Sequence, residues 1–272
     1  TSVTVTAIDS YIEGSFVYID IDGDEVYDEG EPSGITDNLG EISLTIKDEY
    51  YDADGNLNIR VSGGTDTGTG SAFSGSLSLI ADSDTDFSSD GLTVTTLTTI
   101  AAELVKAGST IEEAKATLIT AFGLPDGFNP DSYDPIAEAL TGDADAALVL
   151  STTLTLASTF DTLTELDSDQ GYAGAIGSIV GHINDNSGIA IDFSDSTTLS
   201  TILADFSPGT DVDTLSAAAT LMQSTNTSFN DFKEQMIAGS IDATSGIQDM
   251  IATQTASKST GLAALTEVKN GT

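Results

Sequence analysis

No cysteine occurs in this 272-residue chain. That excludes disulfides, thiolate metal sites and c-type haem. An extracellular role would then need another means of stabilisation, for which calcium is suited. Tryptophan is absent and aromatics are 6% of the residues, which argues against an aromatic-lined sugar platform, although Tyr and Phe could serve as one. Basic residues number 7 against 44 acidic ones, giving a formal net charge of −37. Nucleic acid is excluded as a partner, because its phosphates would be repelled rather than neutralised. Anionic membrane surfaces are disfavoured on the same ground. No stretch approaches the roughly 18 consecutive apolar residues of a membrane span. No signal peptide is visible where the chain opens, on the strand-like residues 1–8, so the expectation is a mature processed protein or a fragment of a longer one.

Signatures of catalysis are missing as well. His182 is the single histidine, so an HExxH zinc site cannot form. Its surroundings, Val180-Gly181-His182-Ile183-Asn184, read as the end of an apolar helix with a structural histidine. There is no phosphate-binding loop, and no GxGxxG follows a strand. Carboxylates are so abundant that a glycosidase-like pair arises by chance. The expectation is a protein that is not an enzyme.

What is present is acid in excess, and self-repulsion at this charge destabilises a compact state. Bound divalent cations or high external salt would offset it. The chain is nonetheless patterned to fold. Apolar residues make up 39% and fall in periodic runs, while the acids cluster with Gly, Ser and Asn between them. Its length suits two or three domains.

Residues 1–90 read as β. Val3, Val5 and Ala7 alternate with polar residues, as do residues 41–46, 57–61 and 72–79, and Phe16, Tyr18 and Asp20 alternate with Val17, Ile19 and Ile21 as two contrasting faces. Turn-forming clusters of Gly, Asn and Asp separate them. Short strands at this spacing predict a small antiparallel sandwich. Residues 81–91 are polar and acidic, a linker or a second ion loop. Helical spacing then begins at Leu97. The pattern predicts helices over 97–107, 111–122 (with Ser109 and Glu112 as a capping box), a short one from Pro135, and 144–166 capped by Asp143. Further helices are expected over 172–183, 196–205, 213–224, 228–238 and 246–256, with 189–193 extended and 261–272 weakly patterned. The fold class expected is α+β: a calcium-binding β-sandwich over 1–90 and an all-α domain over 91–272, with a further division near 170 as an alternative.

One loop carries recognisable chemistry. Residues 20–31 place Asp20, Asp22, Asp24, Asp28 and Glu31 at positions 1, 3, 5, 9 and 12, with the Val26 carbonyl at position 7. This is the ligand order of an EF-hand-type loop, whose Ca²⁺ takes six to eight oxygens at about 2.3–2.6 Å. Position 6, a glycine in such loops, is Glu25, and Gly23 stands at position 4, so the sharp turn is expected to be made differently. Weaker metal candidates are Asp52, Asp54 and Asn56, at 1-3-5 spacing, and Asp82, Asp84, Asp86 and Asp90. Two more acid groups are Asp126, Asn129, Asp131 and Asp134 around a proline turn, and Asp205, Asp211 and Asp213 around Pro208-Gly209. At each, a solvated loop or helix cap competes with an ion. The threonine-rich residues 93–99 offer a hydroxyl array for ice or glycan, or else a strand followed by a helix cap.

The run Phe16-Val-Tyr-Ile-Asp-Ile-Asp-Gly-Asp-Glu-Val-Tyr-Asp-Glu-Gly-Glu-Pro, with Thr36-Asp-Asn-Leu-Gly-Glu-Ile-Ser-Leu, resembles the calcium-binding B-type repeats of bacterial surface adhesins. The resemblance implies a transthyretin-like (prealbumin-like) β-sandwich with Asp20, Asp22, Asp24, Asp28 and Glu31 as ligands. Ser62-Gly-Gly-Thr-Asp-Thr-Gly-Thr-Gly, Leu97-Thr-Thr-Ile, Ala121-Phe-Gly-Leu-Pro, Tyr133-Asp-Pro-Ile and Gly142-Asp-Ala-Asp-Ala extend it toward large secreted, RTX-adhesin-like surface proteins of Gram-negative bacteria. It covers roughly residues 10–165, and no nonapeptide RTX repeat accompanies it. The function implied is a Ca²⁺-stabilised structural or adhesive subunit of an extracellular bacterial assembly: a filament, sheath, surface layer or long adhesin. Such subunits would join as homo-oligomers or polymers, with residues 1–8 pairing to a neighbour's sheet edge. The alternative is a monomeric glycan- or ice-binding module, with a surface glycan as partner and no nucleic acid or membrane insertion.

Overall fold

The computed structural model of the chain describes residues 1–83, 85 and 91–271 as a mixed α+β protein. Its contacts separate two units, Thr1–Leu118 with Asp126–Asp134, and Ile119–Pro125 with Pro135–Thr272. The division therefore falls later than residue 90. Helices α1 (Thr96–Lys106) and most of α2 (Ile111–Phe122) belong with the strands.

In the first unit, β1 (Ser2–Ala7) lies between β5 (Glu41–Thr45) and β9 (Leu92–Val94). A four-stranded sheet has the order β4-β3-β6-β8, from Ser33–Ile35, Phe16–Asp20, Asn56–Ser62 and Ser76–Asp82. A two-residue pairing joins β2 (Ile12–Glu13) to β7 (Thr65–Asp66). The period-2 pattern sets the register. Val17 faces Val61 and Ile19 faces Ile59, and across the next pairing Val61 faces Leu77 and Ile59 faces Leu79. All of these are at most 1% exposed, and burying each such side chain is worth roughly 1.5–3 kcal/mol.

Two expectations fail in this unit. The pairing is not wholly antiparallel, because β9 runs parallel to β1. The N-terminal strand is also not free to leave, since β1 has a neighbour on each side within its own chain.

The threonine run is a strand and cap with no surface array. Thr93, Thr95, Thr96, Thr98 and Thr99 are all at most 3% exposed. Thr95 Oγ1 accepts from the amides of Leu97 and Thr98, and Thr98 Oγ1 accepts from Thr95 N–H, a reciprocal capping box. Thr99 Oγ1 takes the Ser78 amide at 3.0 Å, so α1 covers the outer edge of β8 and satisfies a donor that an edge strand leaves open. The capping box of α2 sits one residue later than expected: Glu113 accepts from Thr110 N–H at 2.9 Å, and Thr110 Oγ1 from Glu113 N–H at 3.2 Å.

The second unit is helical: α3 (Pro135–Ala139), α4 (Ala144–Leu166), α5 (Gly171–Asp185), α6 (Ser196–Phe206), α7 (Val212–Ile237), α8 (Ala243–Ala256) and α9 (Leu262–Lys269). By length and composition α4 is apolar enough to cross a membrane, and 83% of its most apolar window is buried within the structure. Phe160 of α4 meets the Tyr172 ring of α5 at 5.3 Å, so helix packing spans the alternative division near 170.

Two expected helices, 213–224 and 228–238, are one. The helix continues through Thr225 and Asn226, both 6% exposed, and Asn226 accepts a hydrogen bond from Thr155 of α4 at 3.0 Å. Tertiary contact thus carries helix through a stretch of weak helix formers. The weakly patterned tail is also ordered. A π-helical turn at Ser257–Gly261 leads into α9, which anchors on Leu265 at 2% exposure.

Candidate metal centre

The loop at 20–31 leaves the end of β3. Asp20 is fully buried, and its carboxylate turns the chain back on itself: Oδ1 accepts from Gly23 N–H at 2.8 Å and Oδ2 from Glu25 N–H at 3.1 Å. Asp22 accepts from Asp24 N–H at 3.3 Å and Asp24 from Val26 N–H at 2.8 Å. These turns bring carboxylate oxygens of Asp20, Asp22 and Asp24 within 4.8 Å of one another, with Asp22 and Asp24 exposed to solvent.

The sharp turn is made at position 6 after all. Glu25 has φ +67°, the one non-glycine residue with positive φ among the described residues. A side chain in this left-handed region costs about 1–2 kcal/mol, and partners hold it there. Arg60 Nη2 reaches Glu25 Oε1 at 2.8 Å, Lys106 Nζ pairs with the same oxygen at 2.5 Å, and Tyr18 Oη donates to the Glu25 carbonyl at 2.8 Å. Burial pushes the Glu25 carboxyl upward, but Lys106 and Arg60 outweigh it and hold it below the usual range. Arg60 also stands 3.4 Å from Asp20 Oδ2.

The remaining loop ligands do something else. Glu31, 9% exposed, spends one oxygen on Ile21 N–H (2.7 Å) and the other on Asp28 N–H (3.0 Å), tying the end of the loop to its start. Asp28 is exposed and lies outside the carboxylate group. Val26 points its side chain to solvent at 61% exposure. Tyr27 packs edge-on against Phe16 at 5.0 Å and Tyr18 at 5.8 Å, which seats the loop on the strand.

The other acid groups are mostly turns and caps. Asp52 Oδ1 accepts from the amides of Asp54 and Asn56, and Asn58 Nδ2 approaches Oδ2 at 3.4 Å, closing the turn that leads into β6. Asp82 bonds the Thr85 hydroxyl at 3.0 Å, while Asp84, Asp86 and Asp90 lie outside the described residues. Asp131 is buried against Lys115 at 2.7 Å, and Asp134 accepts from Tyr11 Oη at 2.9 Å. Asp143, Asp195, Asp211 and Asp242 cap α4, α6, α7 and α8. Amide donors of the first helical turn hold the Asp195, Asp211 and Asp242 carboxyls below the usual range. His182 is half-buried on α5, where its carbonyl accepts from Asn186 N–H at 3.1 Å.

Sequence reasoning missed Arg60, Lys106 and Tyr18. Arg60 carried a signal: it is the single arginine among 44 acids, and strand alternation places it directly opposite Tyr18. Lys106 lies far along the chain and carried none. No family model matches this chain, and neither a curated protein nor a solved structure matches it.

Chemically, three carboxylates this close repel one another. A hard divalent cation is the natural counter-charge, because Ca²⁺ is bound through carboxylate and carbonyl oxygens, with water completing the shell. Asp20, Asp22 and Asp24 are the carboxylates that could hold a metal ion, and both oxygens of Asp20, like those of Glu31, also accept backbone amides.

Proposed function

We propose that this chain is a Ca²⁺-stabilised structural or adhesive subunit of an extracellular bacterial assembly, such as a filament, sheath, surface layer or long adhesin. The observation that carries the reading is the Asp20–Asp22–Asp24 group on a loop that makes its sixth-position turn with a left-handed Glu25. The net charge of −37 and the lack of cysteine support it, since cations then take the stabilising place that cross-links have elsewhere. The three-stranded and four-stranded sheets support the finer reading of the first unit as a transthyretin-like sandwich, with β9 as a parallel departure from it. Joining by strand addition would use β4 or β5, which end their sheets, and not residues 1–8.

A calcium titration read by calorimetry and light scattering together tests this. Ca²⁺ is expected to bind the full chain and raise its melting temperature, by about 2.7 kcal/mol of stability at a hundredfold excess over Kd. Asp22→Asn and Asp24→Asn, both at exposed positions, are expected to abolish that gain without unfolding the apo protein. If EDTA changes neither melting temperature nor assembly, the calcium reading is wrong.

A further inference from the structure

We infer that the second unit carries a pocket for one ring of a neutral, hydroxyl-rich ligand, the chemistry of a saccharide residue. The pocket has a volume of about 190 Å³ and lies between α4, α7 and residues 191–193. It is smaller than the roughly 300–1,000 Å³ of drug-sized sites, which restricts it to a single ring.

The pocket presents polar groups whose hydrogen-bonding capacity the fold does not use. Ser151 is 2% exposed and Asn226 is 6% exposed, and both line it. Asn226 Oδ1 accepts from Thr155 Oγ1 at 3.0 Å and from Asn230 Nδ2 at 3.4 Å. Those two bonds orient the Asn226 amide and leave its Nδ2 donors without a protein partner among the described residues, as is the Ser151 hydroxyl. A ligand with several hydroxyls, each both donor and acceptor, would satisfy them.

One wall is apolar. Phe193, 6% exposed, stacks on Phe122 with centroids 6.4 Å apart and planes 14° from parallel. Ile191 N–H donates to the Ala121 carbonyl at 2.8 Å, and Gln223 Nε2 to the Ser194 carbonyl at 2.7 Å, so the segment carrying Phe193 is tied down at both ends. A pyranose ring has this combination of faces: C–H groups for an aromatic surface and hydroxyls for amides.

Charge argues against an ion. Lys233 is the cation of the lining, and its Nζ stands 3.2 Å from both Glu234 Oε1 and Asn230 Oδ1. Its charge is already met. An anion would be repelled by a chain of net charge −37 and would find no unspent cation, whereas a cation would meet Lys233 as well as Asp192, the acid of the lining, whose Oδ1 already accepts from Ser194. The pocket belongs wholly to the second unit and does not rest on the calcium reading.

Amide NMR of the full chain tests the inference. The probes are glucose, galactose, mannose and N-acetylglucosamine, each as the free sugar and as the end residue of an oligosaccharide, with sulfate and putrescine as charged comparisons. Saturable shifts of the Asn226 and Asn230 side-chain amides are expected with at least one sugar, unchanged by EDTA. Response to free sugars alone would identify a monosaccharide site, and response to the oligosaccharide a glycan-end site. Binding is expected to weaken about tenfold in Ser151→Ala, which removes one oxygen from the pocket, and in Asn230→Leu at a half-buried position. The inference is overturned if no sugar gives a saturable shift, if only sulfate or putrescine does, or if both variants bind as the parent does.

Discussion

Glu25 sits at φ +67°, so replacing it by glycine and by alanine separates backbone strain from lost ion pairs. Both substitutions remove the contacts to Arg60 and Lys106. The Glu25 side chain is 51% exposed, and pairs so open to solvent are worth about 0–1 kcal/mol each. That loss is common to the two variants and cancels between them. Glycine adopts the left-handed region freely, which relieves about 1–2 kcal/mol. Alanine retains that strain but has a less disordered unfolded chain, worth about 0.4–1 kcal/mol in its favour. The difference leaves Glu25→Gly more stable than Glu25→Ala by about 1 kcal/mol. Urea unfolding in EDTA, followed through NMR signals of Val17, Ile19 and Val61, reads the first unit alone. An alanine variant as stable as the glycine variant would refute the assignment of a left-handed turn to this position.

Other residues give equally direct tests. Burial pushes the Asp131 carboxyl above the usual range, and Lys115 draws it only part of the way back. A raised folded value means that the contribution of this group is complete below about pH 4 and is lost as pH rises through that value. The stability advantage of the parent over Asp131→Asn should therefore shrink from acid toward neutral pH, and an advantage that grows would contradict the burial argument. Thr99→Val strands the Ser78 amide at the covered edge of β8, with an expected cost of about 1–3 kcal/mol and faster hydrogen exchange at Ser78. Gly91→Ala places a Cβ 2.5 Å from the Thr4 carbonyl oxygen at φ +77° and is expected to cost about 2 kcal/mol or more. Gly55→Ala, at φ +82° with open space around it, should cost about half as much.

Local pattern was legible along most of the chain. Alternation at Val17, Ile19, Leu57, Ile59 and Val61 is a property of neighbouring residues, and it placed the strands and their buried face. Asp143 before an apolar run and Gly123 with Pro125 after one marked helix ends, because caps and breakers act within a turn of where they stand. The 1-3-5 spacing of Asp20, Asp22 and Asp24 put three acids within one tight loop, where their own turns bring the carboxylates together.

Distant contacts decided the rest. The parallel seat of β9 beside β1 joins residues 92–94 to 5–7, a pairing no local window contains. Continuity of α7 through Thr225 and Asn226 came from α4, and propensity alone would have broken the helix there. At the loop, residue order supplied the acids and the departure at Glu25. Whether Glu25 could still make the turn depended on Arg60 from β6 and Lys106 from α1, ion pairs that only the folded first unit brings to the same carboxylate oxygen.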